Sequence, residues 1–370
     1  MNPLALRTLF LALLAAPLVS QADGLGPIKP GPWQTVGKIP AGWVVHNTKN
    51  YHVQSEAGLE KAKRLGDHME VMNVVYRKMF PPEKGGEKKQ TIKLFKDEAG
   101  MRGYNPHVPG AAAYFSPGQR EMVCYDTGKW MDEAKVEGPV TGSKPETPLE
   151  RIQRRLGKLN DAWKMDLLGC AAHEGWHQYF HWYVGSQVEL PSWINEGMGD
   201  YFYTAAPKDK DKGPKKTQVS LGNIFDGRLK ILQEAKRQNQ MVALAEFIQM
   251  FQDAYYSNPS ICYAQGWALC QFLLHGANGK YAKVIPTYIR LVRDDTNTQV
   301  VTTRAFKGID LAALETEFKA WIDQQKVSPD MKEPDLEELL KGEPGANPPA
   351  EPPTSEPPAG GTGEPGAQGG

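Results

Sequence analysis

The sequence predicts an α+β protein of two lobes: a small mixed α/β lobe over residues 23–148 and a mainly helical lobe over residues 149–330, with a cleft between them. Three observations support this. Strand-like segments and one long amphipathic helix alternate before residue 148. From Leu149 onward, apolar residues recur at the three- and four-residue spacing of packed helices. Both ends differ in composition from the rest, leaving about 315 residues, enough for two lobes around one cleft.

In the first lobe, Tyr51–Ser55 alternates as a strand does, and Leu59–Phe80 reads as an amphipathic helix stopped by Pro81-Pro82. Gln90–Phe95 is a second strand. Ala111–Phe115 and Glu121–Tyr125 pair as a hairpin across Ser116-Pro117-Gly118-Gln119. Lys135–Pro148 is a Gly/Pro/Thr-rich insertion, expected as a surface loop near the cleft. The second lobe is expected to hold helices at Leu149–Val184, Pro191–Thr204, Phe225–Gln238, Leu244–Gln252, Cys262–His275, Tyr281–Arg293 and Leu311–Gln325. They follow no fixed period, which argues against a repeat solenoid. No Gly-rich phosphate loop or nucleophile elbow stands out.

The first residues carry one positive charge at Arg7, an apolar run Leu9–Val19 and small residues at Ser20-Gln21-Ala22. This is the pattern of a secretory signal peptide over residues 1–22, with an apolar core shorter than the about 20 residues of a spanning helix. The expectation is an exported protein, periplasmic or extracellular, with no stable membrane insertion after cleavage. The tail, residues 331–370, becomes almost purely Pro, Gly, Glu, Ala, Ser and Thr from Lys341 on. Such a composition lacks the apolar bulk to offset chain entropy. Forty-three basic residues balance 43 acidic ones, and no basic stripe is interleaved with aromatic residues, so nucleic acid is not an expected partner. The run Lys208–Lys216 reads as a solvated loop. Four cysteines are too few for a disulfide scaffold. Cys262 and Cys270, eight apart on one helix, stand about 12 Å apart along its axis, too far to bridge. Buried free thiols are expected for all four.

The chemistry concentrates in His173-Glu174-Gly175-Trp176-His177. Residues four apart share one helix face, so His173 and His177 can hold one metal ion, with Glu174 beside it as a general base. Glu196 follows in Trp193-Ile194-Asn195-Glu196-Gly197, with eighteen residues between it and His177. Asp200, one turn on, is placed to accept the second ring N–H of a ligating histidine. The bland alternative, a pair of packed core histidines, leaves a carboxylate on an apolar helix without a partner, a costly burial. His181 invites a third-histidine reading, but that pattern needs Gly and His where Phe180 and Tyr183 stand. His46, His52, His68, His107 and His275 show no ligand spacing.

These segments resemble the gluzincin metallopeptidases, the clan of thermolysin-like enzymes and the M1 aminopeptidase family. The layout is closest to the compact peptidase-MA-like proteins of bacteria. The resemblance covers roughly residues 160–275. It implies a zincin-type catalytic lobe with Zn2+ held by His173, His177 and Glu196, Glu174 as base, and Asp200 behind the ligands. It also implies a tyrosine that hydrogen-bonds the oxyanion, carried by Tyr263-Ala264-Gln265-Gly266, with Tyr255 and Tyr256 as nearby rivals. The strand edging the site, within Ala111–Tyr125, would hold a peptide or protein substrate by strand addition. The expected activity is zinc-dependent peptide hydrolysis. Gly110-Ala111-Ala112-Ala113-Tyr114 lacks the glutamate by which aminopeptidases hold a substrate amino terminus. The rival reading is a non-catalytic zinc-containing cell-envelope binding module, which would bind metal and partner without turnover.

Overall fold

Alternation of strand and helix patterns in the first lobe produces a five-stranded sheet. Its strands are β1 (Val44–Asn47), β2 (Tyr51–Ser55), β3 (Gln90–Phe95), β4 (Ala113–Ser116) and β5 (Glu121–Tyr125), in the order β1-β2-β3-β5-β4. Helix α1 (Leu59–Met79) carries the chain from β2 to its parallel neighbour β3, a crossover that a hairpin could not make. A short helix, α2 (Glu98–Tyr104), capped by the Asp97 side chain, leads on from β3. β4 and β5 form the expected hairpin, in register Ala113↔Cys124 to Ser116↔Glu121, and β4 is an edge strand of the sheet. The computed structural model describes residues 39–82, 89–106, 111–130, 165–185, 188–208 and 213–327. The expected signal peptide, the 135–148 insertion and the 331–370 tail lie outside the described residues.

The second lobe is mainly helical, and the whole is α+β as the sequence predicts. Its first two helices are α3 (Leu167–Tyr183) and α4 (Ser192–Tyr203). A small hairpin of β6 (Ala206–Lys208) and β7 (Gln218–Ser220) follows. The remaining helices are α5 (Asp226–Arg237), α6 (Leu244–Phe247), α7 (Gln252–Tyr256), α8 (Pro259–His275), α9 (Val284–Leu291), α10 (Thr298–Ala305) and α11 (Leu311–Gln324). Among the described residues, no helix is long and apolar enough to cross a membrane. All four cysteines are buried and free, Cys262 and Cys270 on the one helix α8.

Several boundaries differ from the sequence reading, each for a local reason. The helix expected from Leu149 begins, within the described residues, at Leu167, where the Asp166 carboxylate accepts from the Gly169 N–H at 2.8 Å. Leu244–Gln252, expected as one helix, is broken into α6 and α7 by extended backbone at Phe251. The break has a use. The Met250 carbonyl accepts from the Ser192 N–H at 2.9 Å, satisfying an orphan donor at the start of α4 that Pro191 leaves without a side-chain cap. α10, capped by Asn297, was not expected, nor were β1, α2 and the β6–β7 hairpin.

α3 lies at the centre. Leu167, Leu168, Cys170 and Ala171 pack into the apolar layer under the sheet, and Trp176, Tyr179 and Phe180 join the core of the helical lobe with Tyr76 and Phe80. α4 crosses α8 where Gly197 meets Gly266. A Cβ at Gly197 would overlap the Gly266 carbonyl, and one at Gly266 would stand 2.5 Å from the Tyr255 hydroxyl. The close crossing therefore requires glycine at Gly197, while Gly266 makes room for Tyr255. Gly197→Ala is expected to destabilise the protein by about 1–3 kcal/mol through overpacking, read as a lowered midpoint in chemical denaturation.

Candidate metal centre

α3 is buried on nearly every side, so any polar side chain it carries must find a partner inside the protein. His173, Glu174, His177 and Gln178 are such side chains, all buried. Gln178 is anchored through its amide to the Thr91 carbonyl of β3 at 3.1 Å. His173 and His177 face α4, which supplies Asn195, Glu196 and Asp200. His173, His177 and Glu196 come together as one buried group whose ligand atoms all lie within 4.8 Å of one another.

The hydrogen bonds dispose the imidazoles for coordination. His173 Nδ1 lies 3.0 Å from Asp200 Oδ1, and His177 Nδ1 lies 3.0 Å from Asn195 Oδ1. Both acceptors place the ring proton on Nδ1 and leave the Nε2 lone pairs for a shared point. The Nε2 atoms stand 3.3 Å (His173) and 3.7 Å (His177) from Glu196 Oε2. Two ligands each about 2.1 Å from one tetrahedral ion are roughly 3.4 Å apart, and both histidine-to-glutamate spacings are close to that value. Among the described residues, His177 Nε2 and Glu174 Oε1 are buried with no hydrogen-bond partner, the signature of atoms aimed at something else. The group can hold a metal ion.

Electrostatics point the same way. Burial pushes the Glu174 carboxyl up, to about 7, against the pull of His173 and His177. Burial alone would raise Glu196, but the charges of His177 and His173 and their hydrogen bonds hold it at about 2. Burial would lower His173, yet its hydrogen bonds to Asp200 and Glu196 carry it up to about 10. Three carboxylates around two imidazoles make a pocket that favours a cation, and a metal ion would displace the proton on His173.

Every residue expected of the site is accounted for. Glu174 is fixed from the sheet: its Oε2 accepts from the Phe115 N–H of β4 at 2.9 Å. Asp200 takes the place expected of it. Tyr263 is buried, and its hydroxyl donates to the Tyr256 hydroxyl at 3.3 Å, which in turn donates to Glu196 Oε1 at 3.3 Å. Tyr256 is therefore the nearer of the two to the ligand group, and Tyr263 stands behind it. His181 lies on α3 beyond the site and packs its ring 5.5 Å from that of Phe115. Sequence reasoning did not single out Asn195, Arg228 or the Phe115 amide. Arg228 donates from Nε to Asp200 Oδ2 at 2.8 Å. Asn195 could have been found as the polar neighbour of Glu196 in Asn-Glu-Gly. A backbone amide has no sequence signal.

Residues 168–290 match a family model described as a protein of unknown function (DUF1570). The matched stretch holds His173, Glu174, His177, Asn195, Glu196, Asp200, Arg228, Tyr256 and Tyr263, and leaves out the sheet that carries Phe115. No curated protein matches the chain.

Gly199 sits one residue before Asp200, and a Cβ there would lie 2.5 Å from His173 Nε2. Gly199→Ala is expected to displace this imidazole and weaken metal binding at least about tenfold, in line with losses from disturbing a ligand's support. Metal retained after dialysis against a weak chelator, compared with wild type, checks this.

Proposed function

We propose that this chain is an exported zinc-dependent peptidase of the gluzincin type. The observation that carries the reading is Glu174: a buried carboxylate with one oxygen anchored by a backbone amide and the other, unpartnered, beside a His-His-Glu group. A structural metal site needs no such carboxylate. Two imidazoles and one carboxylate, with a position left for water, is a catalytic zinc donor set.

Zinc held by His173, His177 and Glu196 supplies Lewis acidity, lowering the pKa of a water toward neutrality and polarising an incoming carbonyl. The residues of the chain do the rest. Glu174 Oε1 accepts the proton of the attacking water, and the same carboxyl returns it to the leaving amine. Phe115 N–H keeps Oε2 occupied, so that Oε1 is the oxygen that exchanges protons. Asp200 and Asn195 hold the imidazoles in the ligating tautomer. The Tyr256 hydroxyl, supported by Tyr263, lies beside Glu196 and is the donor we assign to the developing oxyanion.

β4 suits a peptide substrate. The Ala112 carbonyl faces β5, accepting from the Tyr125 N–H at 3.2 Å, whereas the Phe115 N–H faces Glu174. By the alternation of an antiparallel strand, the backbone polar groups of Ala113 and Phe115 point away from β5, to the side of the edge that borders the site, where the Phe115 N–H already donates to Glu174. An extended peptide can add there by main-chain hydrogen bonds and bring a scissile carbonyl past Glu174. The leader-like N-terminal sequence supports export.

Glu174→Gln removes the base and preserves the ligands. Its turnover of a mixed peptide library is expected to fall about 10²–10⁴-fold, with zinc content unchanged. Turnover equal to wild type in this variant contradicts the reading.

A further inference from the structure

Arg228 is an unusual residue for its place. It lies in the first turn of α5, where the helix dipole disfavours a cation, and it is buried, although Lys230, Lys236 and Arg237 of the same helix are not. Burying a guanidinium is costly unless it is paired and hydrogen-bonded. Its partners explain the position. Nε donates to Asp200 Oδ2 at 2.8 Å, and the guanidinium lies 4.8 Å from the ring centroid of Tyr263 and 5.5 Å from that of Phe225. Asp200 passes the contact on through its other oxygen to His173 Nδ1, and Tyr263 passes it through Tyr256 to Glu196 Oε1. One buried cation thus stands behind two of the three ligand residues by separate routes. Lys93–Glu121, another buried ion pair, shows the contrast: Tyr104 binds both its members, so the contact closes on itself within the first lobe.

We propose that Arg228 is a positioning residue for the metal centre, fixing the Asp200 carboxylate against His173 so that Nε2 is presented to the ion. The inference rests on the metal reading of the site but not on catalysis. Among the described residues Arg228 is the one Lys or Arg side chain paired with Asp200, whose carboxylate is fully buried and otherwise meets His173. Without Arg228 it would be free to turn from His173, and the imidazole would lose the acceptor that selects its tautomer.

Zinc dissociation constants from chelator competition on Arg228→Met, Asp200→Asn and the double variant test this. Arg228→Met is expected to weaken zinc about 10–100-fold, as loss of an outer-shell partner does. Adding it to Asp200→Asn is expected to change affinity little further, because the two act in series. The double variant carries no buried unpaired charge at this position. If Arg228→Met alone does not fold, Arg228→Lys, which keeps the charge and loses the planar fork, is expected to show a smaller loss. Thermal midpoints measured without metal separate lost fold from lost affinity. Wild-type affinity in whichever of Arg228→Met and Arg228→Lys is folded, or an equal loss with and without Asp200, overturns the proposal. A wild-type protein that binds no zinc overturns the metal reading itself.

Discussion

Five ionisable side chains, His173, Glu174, His177, Glu196 and Asp200, are buried in the seam between α3 and α4. Left unpaired, such groups would cost far more than the margin by which a domain is stable. Much of what is particular to this protein answers that constraint. Asp200 and Asn195 satisfy the imidazole Nδ1 atoms, Arg228 balances Asp200, Tyr256 reaches Glu196, and a backbone amide from the sheet binds Glu174. Among the described residues His177 Nε2 and Glu174 Oε1 stay without a hydrogen-bond partner. A metal ion between the imidazoles and Glu196 would complete the balance.

The helices can meet this closely only because small residues lie at their crossings. Gly199 leaves room for the His173 ring, Gly197 lets α4 approach the backbone of α8, and Gly266 makes room for the Tyr255 hydroxyl. Glycine costs a helix interior about 0.5–1 kcal/mol relative to alanine, which the apolar packing around Trp193, Trp267 and Leu269 must offset. The sheet contributes from the other side. β4 is short and at an edge, and it is placed by its hairpin with β5 against the face of α3 that bears Glu174. Glu174 thus bridges the two lobes, and the proposed substrate strand would lie along that bridge.

The His-His-Glu group was legible in the sequence because a site able to hold a metal demands fixed residue types at fixed helical spacing, and the fold class because α1 and the β4–β5 hairpin have strong periodic signals. The supports were less legible. Arg228 sits among Leu229, Ile231 and Leu232 and reads as an ordinary surface cation of an amphipathic helix; only the tertiary partner shows that it points inward. The break at Phe251 depends on a hydrogen bond to Ser192, 58 positions earlier in the chain, which no local propensity records. The Tyr-x-x-Gly pattern finds Tyr263, whereas the hydroxyl that bonds Glu196 belongs to Tyr256 on the preceding helix, with Tyr263 bonded to it.

The central claim is that His173, His177 and Glu196 hold a single ion. Elemental mass spectrometry of the purified protein, wild type beside His177→Ala, tests it most directly. The account predicts about one zinc per wild-type chain and loss of that zinc in the variant, which keeps only two of the three ligands. A folded wild-type protein that carries no zinc and takes up none when it is supplied would contradict it.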